Sequence, residues 1–408
     1  MDAARIAASQ QRTFESLWAE VRPHVAADSA LPRRIKALLG RNRALGARDR
    51  RLYRELIYTA IRYLPWVEAA RGPASDDAAR LIAWLAPDDR DTSAYRARLL
   101  PGWPEVPDDL AGRAAVLAAR LGGAFEPAAL LPAWFRAECP AAFEAPHLDA
   151  LNERARLWVR LQCRESSVVI DEFLGRRWSV RLEPDVPGAL SLPPSAEVAA
   201  TDAYRRGLVE IQDLGSQLIL HHAPVAPGQT WLDACAGAGG KTLQLARLVG
   251  DHGRVDAGDV RPALLPELRE RAVRARLANV RVVAAPEAAY DGVLVDAPCS
   301  GTGTWRRLPH MKWHTQPALL DRFAALQRSV LAEYAPRVAP GGLLVYATCS
   351  LSRRENHDVV AAFLADRPDF AAEAPARPWG GQPDGLGHTL LPGVRDSDGF
   401  YVALLRRR

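Results

Sequence analysis

Lysine is nearly absent from this sequence. Of 53 basic residues only Lys36, Lys241 and Lys312 are lysines, the rest being arginine. Where arginine is the default cation, a retained lysine marks a place that a compact ammonium suits better than a broad planar guanidinium. Cysteine is scarce and odd in number, with Cys139, Cys163, Cys235, Cys299 and Cys349 forming no CxxC pair. That argues against a disulfide framework and against a structural zinc site, leaving free thiols that can serve as nucleophiles. Long apolar runs are missing too, none approaching the roughly 18 residues of a membrane helix. The start, Met1-Asp2-Ala3-Ala4-Arg5, has no secretory signal's apolar stretch. A soluble cytoplasmic protein, monomeric and without metal, is the expectation. What is present is ordinary: 408 residues, 48% hydrophobic and 25% charged, a globular composition of two to three domains. The net charge of +5 leans mildly toward an anionic partner.

Residues 1–124 read as helical, with apolar residues at helical spacing in Arg12–Val25 and Leu52–Leu64. Between Arg33 and Arg62 lie ten basic residues, Arg48, Arg50 and Arg51 among them, against only Asp49 and Glu55. Such density is either a solvated helical face or a seat for a phosphate backbone. Residues 125–205 read as a small α+β module, with a helical piece at Leu131–Phe135 and strands at Leu157–Leu161, Val168–Ile170 and Trp178–Leu182. From residue 206 strands and helices alternate. Strands are predicted at Trp231–Ala234, Val255–Asp259, Val280–Val283, Gly292–Asp296 and Leu343–Thr348, with a closing edge strand at Phe400–Leu405. Helices are predicted at Lys241–Val249, Leu264–Leu277, Leu319–Val338 and Asn356–Ala365. The alternation implies an α/β fold, a doubly wound and mostly parallel sheet whose ligands sit at the carboxyl ends of the strands.

The segment Cys235-Ala236-Gly237-Ala238-Gly239-Gly240-Lys241-Thr242 follows the first of these strands and opens a helix. It is not a P-loop, because Cys235 stands where that motif needs glycine, and no GxGxxG fingerprint fits. Small residues still let a ligand approach the backbone, and free N–H groups at the helix start favour a carboxylate. Asp259, ending the second strand, can accept both hydroxyls of a ribose. A ligand with a carboxylate at one end and a ribose at the other is S-adenosyl-L-methionine. Asp296-Ala297-Pro298-Cys299-Ser300 and Tyr346-Ala347-Thr348-Cys349-Ser350 then place two cysteines at neighbouring strand ends. One such cysteine is most often a buried packing residue. Two, each followed by serine and beside a methyl donor, suit methylation at carbon 5 of a pyrimidine. That carbon is too poor a nucleophile unaided; a thiolate adding to carbon 6 activates it. A base must later remove the carbon-5 proton, and a carboxyl such as Asp296 assists at ring nitrogen 3. On these grounds either cysteine could be the attacker.

In this order, with Val209-Glu210-Ile211-Gln212-Asp213 upstream and Asp398-Gly399-Phe400-Tyr401 at the end, the motifs resemble the RsmB/Nop/Sun family of RNA 5-methylcytosine methyltransferases. The basic front helices resemble the NusB-like RNA-binding domain of RsmB. The resemblance implies a Rossmann-like class I methyltransferase domain over 206–408, preceded by the small module and an all-α RNA-binding domain over 1–124. It implies Cys349 as nucleophile, Cys299 assisting its release, and Asp296 and Lys241 near the target base. Cofactor binding is implied for Cys235, Ala236, Gly237, Ala238, Gly239, Gly240, Lys241, Asp259 and Asp296. RNA contact is expected of Arg306, Arg307 and Lys312, and of Arg48, Arg50 and Arg51, with ribosomal RNA the foremost substrate. Two departures stand out: Gly237-Ala238 replaces the family's usual Ala-Pro, and Ala285 stands where an aspartate near the adenine is usual, with Glu287 as a possible substitute. The competing readings are the same chemistry on DNA or transfer RNA and a non-catalytic RNA-binding or ribosome-assembly factor.

Overall fold

The computed structural model describes residues 3–70, 76–163, 165–287, 289–376 and 380–408. The chain divides into two units, Met1–Arg154 with Trp305–Gln316, and Ala155–Thr304 with Pro317–Arg408.

The first unit is helical: α1 (Ala3–Val21), α2 (Leu31–Arg41), α3 (Ala47–Arg62), α4 (Leu64–Ala69), α5 (Asp76–Leu85), α6 (Arg90–Leu99) and α7 (Leu110–Leu121). In α3 the residues Leu52, Tyr53, Leu56, Ile57, Ala60 and Ile61 recur three or four apart and are all buried, which leaves Arg48, Arg50, Arg51 and Arg54 outside. Short turns over 127–151 complete this unit, so the division expected at 124 falls at 154. The reason is tethering: Trp66 Nε1 donates to Glu126 O at 2.9 Å and Tyr63 Oη to Asn152 O at 3.2 Å.

The second unit opens with an antiparallel sheet of β1 (Leu157–Leu161), β2 (Arg181–Leu182), β3 (Ala189–Leu192) and β4 (Val209–Ile211), in the order β2-β3-β1-β4. Val168–Ile170 is not a strand. It lies in the helix Ser166–Gly175, where Val169 and Phe173 are buried one turn apart among Val159, Leu190 and Leu192; burial at helical spacing overrides β-branched propensity. The strand expected at Trp178–Leu182 shrinks to its last two residues.

The large sheet comprises β5 (Thr230–Asp233), β6 (Arg254–Ala257), β7 (Val280–Val282), β8 (Tyr290–Asp296), β9 (Val338–Thr348), β10 (Phe370–Glu373), β11 (Gln382–Pro383), β12 (His388–Leu390) and β13 (Phe400–Arg407). Its order is β11-β12-β13-β9-β8-β5-β6-β7, with the five strands from β9 to β7 parallel. Val293, Leu294 and Val295 in β8 and Leu343 to Ala347 in β9 are buried on both faces, as helices on either side of a parallel sheet require. Contrary to expectation β13 is not an edge. It lies between β9 and β12 and also pairs with β10, because Phe400 to Leu405 is an unbroken apolar run that needs cover on both faces. The chain order reverses between β5 and β8, the point at which such sheets open a crevice at their carboxyl ends. Among the described residues no helix is long and apolar enough to cross a membrane.

Candidate active site

The crevice begins where β5 ends at Asp233 and the helix Gly240–Val249 starts. Gly237 (φ 51°) and Gly239 (φ 93°) take left-handed backbone that a side chain would strain. Gly239 N–H closes the turn on Ala236 O at 2.8 Å, and Ala236 N–H donates to Gly258 O at 2.9 Å. Gly237 N–H donates to Asp259 Oδ2 at 2.8 Å. Asp259 also accepts from the Arg261 amide at 2.8 Å and from Arg261 Nε and Nη2 at 3.0 and 3.1 Å. Burial alone would raise this carboxyl, but the guanidinium and the two amides more than offset it and hold it below the usual carboxylate range.

Asp233 behaves oppositely. It is fully buried, its Oδ2 accepts from Thr242 Oγ1 at 2.7 Å, and its Oδ1 has no partner among the described residues. Burial first, then the charge of Asp296, pushes it up to about 7. A carboxyl raised on folding adds stability below its unfolded value, near pH 4 (about 3.9), and loses it as pH rises through the folded value. The protein should therefore lose stability between about pH 4 and pH 7. Asp233→Asn should flatten that decline in thermal melts; identical pH profiles for the two proteins would remove Asp233 as its source.

Asp296, the last residue of β8, receives Lys241 Nζ on Oδ2 at 2.8 Å. Lys241 is nearly buried (9%) while Asp296 keeps 32% of its side chain exposed, so the pair is anchored inside and open toward solvent. The ammonium also lies 5.6 Å from the Phe400 ring. Just beyond the ends of β8 and β9, Cys299 and Cys349, both half-buried, bring their Sγ atoms within 3.4 Å. Contact with Cys349, then burial and the nearby charge of Glu355, pushes the Cys299 thiol well above its usual value.

The loops carrying the two cysteines are fastened together from below. Glu355, fully buried, accepts Ser300 N–H at 2.8 Å, Ser350 Oγ at 2.6 Å, Gln327 Nε2 at 3.1 Å and the Ser300 hydroxyl. Gly303 N–H donates to Cys349 O at 3.0 Å, and Gly399 N–H to Gly303 O at 2.9 Å. A Cβ on Gly303 would lie 2.1 Å from Gly399 O, which makes glycine obligatory there. Sequence reasoning missed Glu355, because Arg353-Arg354-Glu355-Asn356 reads as a solvated polar turn.

The residues expected to touch RNA do not all join a surface. Arg306 is 1% exposed and Lys312 fully buried, both in the first unit. Lys312 Nζ donates to Arg62 O and Leu130 O at 3.0 Å each and to Asn152 Oδ1 at 2.6 Å, a structural role that leaves no donor for a phosphate. Arg307, Arg48, Arg50 and Arg51 are exposed, with Arg48 and Arg51 at 3.6 and 3.2 Å from Asp91. Glu287 is not a free substitute for the missing aspartate, since Arg254 and Arg281 each hold it at 2.7 Å.

A profile of the family described as 16S rRNA methyltransferase RsmB/F matches residues 221–406, a span that contains the glycine loop, Asp259, Asp296 and both cysteines. The ribosomal RNA small subunit methyltransferase B of Cronobacter sakazakii is 32% identical over 301 residues, covering 68% of this chain and 67% of its own. The chain belongs to the RsmB/F methyltransferase family. The corresponding protein of Klebsiella pneumoniae is 34% identical over 273 residues, and the match spans 64% of this chain and 62% of that relative's length. Among solved structures, PH0851 is similar in fold over 100% of this chain and 99% of its own, at 20% identity and a TM-score of 0.71. The family's matched region coincides with the strand-end cluster, whereas Arg48, Arg50 and Arg51 lie outside it.

Proposed function

We propose that this protein is an S-adenosyl-L-methionine-dependent RNA methyltransferase acting on carbon 5 of cytosine, with ribosomal RNA as substrate, through a covalent bond from Cys349 to carbon 6. The observation that carries this reading is the pair of thiols 3.4 Å apart at the ends of adjacent strands, beside an ion pair of 2.8 Å between Lys241 and Asp296. The residues present fit the cofactor. Glycines at 237 and 240 leave room beside a helix start, whose first N–H groups suit the carboxylate. Asp259 suits the ribose hydroxyls once they replace Arg261, a side chain 63% exposed and free to leave. When bound, the cofactor supplies an electrophilic methyl group.

Cys349 as thiolate adds to carbon 6, and the electron pair displaced to carbon 5 takes the methyl group. Through Asp296, on which it sits at 2.8 Å, Lys241 passes a proton to ring nitrogen 3 during the addition and takes it back as carbon 5 accepts the methyl group. Removal of the carbon-5 proton then re-forms the ring double bond and expels the Cys349 sulfur. Exposed Arg48, Arg50, Arg51 and Arg307 are the candidates for phosphate contact.

The test is transfer of labelled methyl from S-adenosylmethionine to unmodified small-subunit ribosomal RNA, followed by nucleoside digestion. Label in 5-methylcytidine is the expected result. Label in another nucleoside would overturn the chemistry, and absence of both transfer and cofactor binding by calorimetry would leave a binding factor as the better reading.

A further inference from the structure

The glycine loop has a second anchor that no part of the reaction accounts for. Between Gly237 and Gly239, both at positive φ, Ala238 turns its carbonyl to Arg271, whose Nη1 donates to it at 2.7 Å. The same guanidinium donates through Nε and Nη2 to Glu210 Oε2 at 3.1 and 2.9 Å. Glu210 is 1% exposed, and its other oxygen accepts Arg274 Nη2 at 2.7 Å. Arg271 and Leu268 lie three apart on the helix Leu265–Arg274, and a Cβ on Gly239 would meet Leu268 at 2.9 Å. One helix face therefore presses on the loop at Gly239 and grips it at Ala238, while Glu210, on β4 of the small sheet, fixes the grip.

A loop of small residues with two left-handed glycines has wide conformational freedom. A fan of N–H groups binds a carboxylate well only if its direction is set before the ligand arrives. A half-buried guanidinium, paired with a buried carboxylate and bonded to the Ala238 carbonyl between the two glycines, supplies that direction. The charge on Arg271 is paired with Glu210, which it shares with Arg274, so the clamp is not left as an unpaired ion.

We propose that Arg271, held by Glu210, is a positioning residue for the cofactor loop: it acts through the Ala238 carbonyl to preset the loop for the carboxylate end of S-adenosylmethionine. This rests on the proposed function, and the experiment separates the two. Arg271→Met keeps side-chain bulk, and Arg274 remains on Glu210. The expected results are amide hydrogen exchange at Gly237 to Lys241 at least about tenfold faster than in wild type without cofactor, and a KM and calorimetric Kd for S-adenosylmethionine each raised about tenfold, the worth of one hydrogen bond to a charged group. With saturating cofactor, kcat should stay within about twofold, since Gly237 to Gly239 touch no reacting atom and Lys241 keeps its bond to Asp296. Arg271→Lys should not restore the affinity, because one ammonium cannot span the carboxylate and the carbonyl with a planar fork's geometry. Wild-type protein that fails to bind S-adenosylmethionine would sink the functional reading. Wild type that binds, with an Arg271→Met variant equal to it in exchange and in KM, would overturn the clamp; so would a fall in kcat with KM unchanged.

Discussion

Cys349→Ala should reduce methyl transfer by at least about 10³-fold, the scale on which loss of a covalent nucleophile registers, while leaving the melting temperature close to wild type. The side chain is half-buried at the margin of the core, and alanine removes only its sulfur, so the loss of packing is small. Cys299→Ala should behave differently: methyl addition proceeds but the protein–RNA bond persists, visible as a slowly migrating band on a denaturing gel. Contact with Cys349 and burial keep Cys299 a thiol, and a thiol is a poor attacker. At 3.4 Å from Cys349 it is placed to pass its proton to the Cys349 sulfur in the same step in which it takes the proton from carbon 5, whose C–H electrons re-form the double bond and expel that sulfur. Protons balance, since one leaves Cys299 and one returns. A trapped adduct with Cys349→Ala and a dead Cys299→Ala would exchange the two roles.

The parts of this site legible in the sequence share one property: each lies within a few residues of a strand end. Apolar runs gave away β5, β6, β8 and β9, and the residues directly after them had to be at the carboxyl edge. What stayed hidden depends on segments far apart in the chain. Glu355 reaches back to Ser300, and Glu210 meets Arg271 and Arg274; no local periodicity encodes either meeting. The misreadings have the same origin. Val168 to Ile170 has strand propensity, yet Val169 and Phe173 find a core only as a helix. Phe400 to Leu405 looked terminal and hence peripheral, whereas its lack of polar alternation is the mark of a covered strand.

Lys312 carries the same lesson in its energetics, and Lys312→Met should destabilise the first unit by about 1–3 kcal/mol, the range for leaving buried polar atoms without their hydrogen bond. Scarcity among so many arginines pointed to a special role, and RNA contact was the natural guess for a basic loop. The three oxygens that converge on Nζ within 3.0 Å explain the choice otherwise. Three acceptors around one point fit the three donors of an ammonium, whereas a guanidinium spreads its donors over a plane and is too wide. Burial and the charge of Arg62 push this ammonium well below its usual pKa, so the site tolerates a cation only because every donor is used. Methionine fills the volume but strands the carbonyls of Arg62 and Leu130 and the amide oxygen of Asn152. Urea titration followed by tryptophan fluorescence reports on this unit, where Trp313 Nε1 bonds Ile61 O at 2.7 Å. Lys312→Arg should be no better than methionine. RNA affinity per folded molecule should not change in either variant. A stable Lys312→Met with weakened RNA binding would instead return this residue to the nucleic-acid surface, and would require the buried ammonium to leave its three acceptors when RNA arrives.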